Sequence, residues 1–141
     1  MKLSIAMHIV SVPDNFCLKE YEVGQIDGKI RYIFKSKTTG HGLKFIFWPN
    51  GQLNSKWYTL NDLCHRDPKE GPALLSFDKA GCIVSVEYLL NGKYHRDPSD
   101  GPAIKNYNSE GYLFSEEYRL NGAHQKPKAL IRARFDPKEC A

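Results

Sequence analysis

With 141 residues, 41% hydrophobic and 12% aromatic, the chain can build one modest core but offers no apolar run near the ~20 residues of a membrane-spanning helix. The formal net charge is +4, yet residues 1–125 carry 15 Lys/Arg against 14 Asp/Glu, so the basic excess belongs to residues 126–141. That distribution argues against a broad phosphate-tracking surface on the body of the protein.

The segment Met1–Val12 has one lysine followed by LSIAMHIVSV. It mimics a signal peptide, but His8 interrupts the apolar stretch and no A-x-A-like site follows, so a first strand is expected. Residues 1–40 are read as N-terminal strands that cap the rest of the chain, including Ile30–Phe34 and a Lys35–Gly40 loop.

From His41 the sequence repeats with a period of thirty, in copies 41–70, 71–100 and 101–125. Gly51, Gly81 and Gly111 align, as do Ser55, Ser85 and Ser115, then Tyr58, Tyr88 and Tyr118, Leu60, Leu90 and Leu120, and Asn61, Asn91 and Asn121. His-Arg-Asp-Pro-x-acidic-Gly-Pro occurs twice, at His65–Pro72 and His95–Pro102. Each copy predicts a short strand (Leu74–Phe77, Ile104–Tyr107), a glycine turn, and a longer strand (Cys82–Leu90, Tyr112–Leu120). Strict alternation would put Val84, Val86, Tyr88 and Leu90 on a buried face, matched by Phe114, Tyr118 and Leu120. Ser85, Glu87, Ser115, Glu117 and Arg119 would then be wet. Asn91-Gly92 and Asn121-Gly122 predict type I′ turns. The fold class is therefore all-β, an elongated antiparallel meander of three hairpin repeats.

The ends depart from the pattern, as array caps do. The first copy begins His41-Gly42-Leu43 where the others have Gly-Pro-Ala, and has Asn61-Asp62 for Asn-Gly. Residues 126–141 form a basic cap or tail, in which Ala129–Phe135 is read as a short helix covering the last strand edge.

Four cysteines (Cys17, Cys64, Cys82, Cys140) make no C-x-x-C pair and fit no zinc spacing. Free thiols in a reducing cytosol, hence a cytoplasmic location, are the expectation.

Tyr-x-x-Asn-Gly-x-x-His, with a second glycine between two short strands, resembles divergent MORN-type hairpin repeats. The stretch Trp48–Tyr58 is similar to the repeat of bacterial antitoxin-like MORN proteins. The form His-Arg-Asp-Pro-x-x-Gly-Pro-Ala resembles a variant of phage and large-virus proteins. The resemblance covers residues 41–125 and implies a twisted antiparallel meander serving as a protein-interaction scaffold; a viral origin would imply an inhibitor directed at a host defence protein, in the host cytoplasm. Gly-Pro stands where the better-known MORN pattern has Gly-x-Gly, so membrane-lipid association does not carry over.

No nucleophile–base–orienter set can be assembled, and no enzyme activity or cofactor is expected. His-Arg-Asp (His65, Arg66, Asp67; His95, Arg96, Asp97) occurs in kinase catalytic loops, but proline follows the Asp here and the glycine-rich loop and strand lysine are missing. A motif duplicated in a repeat is more simply structural. On that reading Asp caps a turn, Arg pairs with Glu70 or Asp100, and His closes the hairpin edge. The functional alternative aligns His65, Arg66, His95 and Arg96 along one edge, about 10 Å between copies, to hold a phosphorylated ligand or nucleotide. His41, His65, His95 and His124 are too spread by the repeat to share a metal. For a protein partner the candidates are His41, Trp48 and above all Trp57, which aligns with Glu87 and Glu117. The alternative for Trp57 is packing on residues 1–40. Nucleic-acid binding through the basic tail is a further alternative, without the interleaved aromatics that would make it specific.

Overall fold

A computed structural model describes residues 11–126 of the chain. The first strands are β1 (Phe16–Val23), β2 (Ile30–Ser36), β3 (His41–Phe47) and β4 (Leu53–Leu60), with β5 (Leu63–Cys64) closing the first repeat. The second repeat holds β6 (Leu74–Phe77), β7 (Ile83–Glu87), β8 (Leu89–Leu90) and β9 (Lys93–Tyr94); the third holds β10 (Ile104–Tyr107), β11 (Leu113–Leu120) and β12 (Ala123–Gln125). One ten-stranded antiparallel sheet runs β1-β2-β3-β4-β6-β7-β10-β11-β12, with β5 on β4, and β8–β9 forms a separate ribbon. The described residues are all β, in meander order. Residues 1–10 of the expected first strand Met1–Val12 and the helix Ala129–Phe135 lie outside them, and Ser11 and Val12 are in a turn rather than a strand.

The turns follow from residue type. Asn61-Asp62, Asn91-Gly92 and Asn121-Gly122 all have positive φ at both positions (50°/66°, 49°/79°, 48°/84°), the type I′ geometry that matches strand twist. Between the paired strands, the Asp78 carboxylate accepts from the N–H groups of Ala80 and Cys82, and Asn108 does the same for Glu110 and Tyr112. The first copy has Trp48 at this position. There Asn50 accepts from Gln52 N–H instead, and the Trp48 indole donates to Phe77 O at 3.1 Å.

Strict alternation in the long strands is broken, which corrects the expected faces. Ser76 pairs with Ser85 but Phe77 pairs with Ile83, leaving Val84 as an extra residue; Asn54 and Phe114 occupy the same place in the other copies. A β-bulge of this kind shifts parity by one residue. Ile83 therefore enters the core at 3% exposure, whereas Phe114 is 65% exposed. The core face carries Tyr32, Phe34, Leu43, Phe45, Phe47, Leu53, Phe77, Ile83 and Tyr107, and Phe45 and Phe47 are fully buried.

The opposite face is not wet, a second correction. Its rows are Ser55-Ser76-Ser85-Asn106-Ser115 and Lys44-Trp57-Leu74-Glu87-Ile104-Glu117. Ser55 and Ile104 are buried. Tyr94 on β9 donates its hydroxyl to Glu87 on β7 at 3.0 Å, so the folded-back hairpin end covers part of this face. The thiol expectation also changes: Cys17 and Cys64 are free, but Cys82 is disulfide-bonded.

Candidate functional site

The His-Arg-Asp-Pro segment sits where consecutive repeats join. His65 N–H donates to Tyr58 O within its own copy, and two further backbone bonds tie the copies together, Arg66 N–H to Leu89 O and Gly92 N–H to Cys64 O. The same bonds recur at the next junction for His95, Arg96 and Gly122. His65 Nδ1 accepts from Asn91 N–H at 2.9 Å, and His95 Nδ1 from Asn121 N–H at 3.1 Å. The Asp67 and Asp97 carboxylates accept from the N–H groups of Lys69 and Ser99, shaping the turn after each motif.

The arginines do not form the expected ion pairs with Glu70 or Asp100 among the described residues. Arg66 lies over the Tyr58 ring at 3.9 Å and Arg96 over the Tyr88 ring at 4.0 Å. Each donates Nη1 to a proline carbonyl, Pro72 at 3.3 Å and Pro102 at 3.2 Å. Gly71 and Gly101, at φ 139° and 133°, leave room for the guanidinium: a Cβ there would fall 2.6 Å and 2.7 Å from Nη1. The Gly-Pro pair is thus the floor of a Tyr-Arg-Gly sandwich.

At the first junction a cleft of about 280 Å³ opens beside this sandwich, lined by His41, His65 and Arg66 together with Phe16, Leu43 and Tyr58. Asp67 and Glu70 also line it, so the cleft is mixed in charge. The sheet brings His41, His65 and Arg66 together and leaves His95 and Arg96 at the next junction. Among the described residues no three His, Cys, Asp or Glu side chains converge as a metal set.

Both tryptophans are half-buried. The Trp57 indole donates to Ser55 Oγ at 2.9 Å, and its ring carries the Lys44 ammonium at 3.9 Å. It packs against Lys44 and Leu74 in the cross-strand rows. Trp48 lies between Lys29 and Lys79, whose ammonium groups sit 5.0 Å and 5.4 Å from its ring centroid. Neither ring is left bare.

Around Trp57 lies a group of titratable side chains drawn from separate strands. Burial, and then Arg31, pushes the Lys44 amine below the ordinary lysine value, while Cys64 and Glu20 oppose the shift. Burial pushes the Cys64 thiol up to about 11, and Glu87 adds to it. Burial also raises the Glu87 carboxyl, against its hydrogen bonds from Tyr94 and Ser85.

Side chains that sequence patterning did not single out stand on β1, the end strand of the sheet among the described residues. Leu18, Tyr21 and Val23 face Phe34, Tyr32 and Ile30, on the core side of the sheet, yet are 50%, 55% and 51% exposed. A bulge at Lys19 keeps them in phase. The spacing 18-21-23 breaks alternation, so no period-2 reading finds it.

Comparison with protein-family models, characterised proteins and solved structures finds no match. No helix of the described residues is long and apolar enough to cross a membrane.

Proposed function

We propose that the chain is a non-enzymatic protein-interaction module of the MORN-like hairpin-repeat type, and that its contact surface is the apolar stripe of β1. The observation that carries this reading is the half-exposure of Leu18, Tyr21 and Val23 in line with the aromatic core. A core face that runs out to an exposed edge in this way is the kind of apolar patch that a partner covers. The Tyr21 ring is already positioned against Tyr32, centroid to centroid at 4.9 Å, so an aromatic anchor is held before any partner arrives. Lys19, bulged at the edge, disfavours simple strand addition. The stripe therefore suits a partner that packs an apolar helix or strand against the face. Trp48, Trp57 and His41 are less suited as anchors, because the two indoles are already hydrogen-bonded and covered. The host-directed inhibitor role belongs to the resemblance and would make that partner a host protein.

The test is affinity capture with the wild-type protein and a Leu18→Ser/Tyr21→Ser/Val23→Thr variant in parallel, followed by titration calorimetry with any protein retained. The variant should keep its fold, since all three side chains are half-exposed, and should bind at least about tenfold more weakly. Undiminished binding by the variant, or no specific partner for the wild type, sinks the reading.

The second reading, a phosphorylated ligand held by His65, Arg66, His95 and Arg96, has less support at that place. Both arginines are engaged by a tyrosine ring and a proline carbonyl, and Asp67 and Glu70 flank the cleft. Nucleic-acid binding by the tail concerns residues outside the described range.

A further inference from the structure

A second cleft, of about 220 Å³, lies where β1 to β4 meet, lined by Lys19, Lys35 and Lys44 with Glu20, Asp62, Thr59 and Ile33, and bordered by Leu43, whose side chain belongs to the core face. Three lysines stand beside two carboxylates, and the pairing is uneven. Lys35 is bonded to Asp62, and Glu20 is held by Arg31 at 2.9 Å, which also holds Glu22 at 2.7 Å. Asp62 is therefore taken by Lys35, while Glu20 shares the single Arg31 charge with Glu22 and acts on Lys44 only at longer range. Among the described residues no hydrogen bond or ion pair engages the ammonium group of either Lys19 or Lys44.

We propose that this cleft binds the phosphate group of a small phosphomonoester, with Lys19 and Lys44 as its cationic ligands and the Thr59 hydroxyl as a further donor. The positions of the two amines are fixed by different means. The Trp57 ring holds the Lys44 ammonium at 3.9 Å, a contact that uses none of its N–H donors in a hydrogen bond. Lys19 is the extra residue of the β1 bulge, a device that re-aims a side chain. Burial and the Arg31 charge disfavour the charged form of Lys44 more than Cys64 and Glu20 favour it, an imbalance that a bound dianion would offset. Ile33, on the same face as Lys44, gives the organic part of the ligand an apolar wall. The site differs from the Arg/His edge because neither Lys19 nor Lys44 donates a hydrogen bond to the described residues, whereas each arginine there is bonded to a proline carbonyl. It does not depend on the β1 stripe, since Leu18, Tyr21 and Val23 lie on the other face of the sheet.

The test is titration calorimetry at low ionic strength with inorganic phosphate, glycerol 3-phosphate and acetate. Variants Lys19→Gln and Lys44→Gln are compared with Lys105→Gln, a change on the opposite face of the sheet in the third repeat. Saturable phosphate binding, tighter for glycerol 3-phosphate and weakened at least about tenfold by either cleft variant but not by Lys105→Gln, is expected. Absence of saturable binding overturns the proposal, as does a loss equal in all three variants, which would be bulk charge screening. Acetate binding as tightly as phosphate overturns the assignment of the ligand. If Lys44→Gln fails to fold, Lys19→Gln carries the test, because Lys19 is exposed.

Discussion

His65 Nδ1 accepts a hydrogen bond from the backbone N–H of Asn91 at 2.9 Å, so a side chain ending one repeat caps the turn of the next. An imidazole nitrogen that accepts must be unprotonated, which places the ring proton on Nε2. His95 and Asn121 repeat the arrangement one period later. The histidine of the duplicated motif is thus a joint between copies.

Removal of either joint should weaken the array by a measurable amount. His65→Ala or His95→Ala is expected to cost about 1 kcal/mol in urea unfolding, the usual net value of one hydrogen bond. His65→Asn should recover part of it, because the Asn Oδ1 can accept in place of Nδ1. Equal losses for Ala and Asn would show that ring packing, not the acceptor, matters.

Gly71 makes a sharper case, since two independent effects meet there. Its φ of 139° disfavours any L side chain, and an added Cβ would lie 2.6 Å from Arg66 Nη1. Gly71→Ala is expected to lose about 2–4 kcal/mol. In Gly71→Ala/Arg66→Ala the steric part is relieved and the backbone part remains. The double variant should therefore lose less than the sum of the two single losses, measured as a double-mutant cycle. Strict additivity would mean that guanidinium and glycine do not interact.

Much of the repeat's local structure is legible in the residues alone. The thirty-residue period, the Asn-Gly turns and the Asx-capped glycine turns are local, and local signals survive in a single sequence. The bulges at Asn54, Val84 and Phe114 were not legible, because two apolar neighbours such as Ile83 and Val84 satisfy either parity. Arg66 was expected to find a carboxylate, yet Tyr58, eight positions earlier, takes its face; only the fold sets those two in contact. Trp57 looked anomalous beside Glu87 and Glu117 because its cross-strand partner, Lys44, lies on a strand that pairing alone brings alongside. The lysine cleft was least accessible, being assembled from the non-repeating N-terminal strands and the first repeat.

Cys64 offers a chemical check on the covered face. With its thiol pushed up to about 11, mainly by burial, only a trace is thiolate at pH 8. Alkylation by iodoacetamide at that pH should be at least about a hundredfold slower in the folded protein than in urea, because the thiolate is the reacting species. Peptide mapping identifies the labelled site. Rapid labelling of Cys64 in the folded chain would contradict the cover supplied by the hairpin ends.

Glu87 gives that cover a pH signature. Burial raises its carboxyl above the ordinary value, more than its bonds from Tyr94 and Ser85 lower it. The folded chain therefore binds this proton more tightly than the unfolded chain, and Glu87 favours folding most when protonated. Its contribution falls as pH rises from the unfolded carboxylate value through the raised folded one, and at neutral pH the ionised group is a net burden. Glu87→Gln keeps an acceptor for the Tyr94 hydroxyl and carries no charge. It should be more stable than the wild type at pH 7, with the difference shrinking as pH is lowered. Tyr94→Phe removes a bond that favours the carboxylate, so its cost should be larger at pH 7 than at pH 4. Urea midpoints at the two pH values decide the matter: a Glu87→Gln variant less stable at pH 7 would show that the ionised carboxylate is held more favourably than its burial implies.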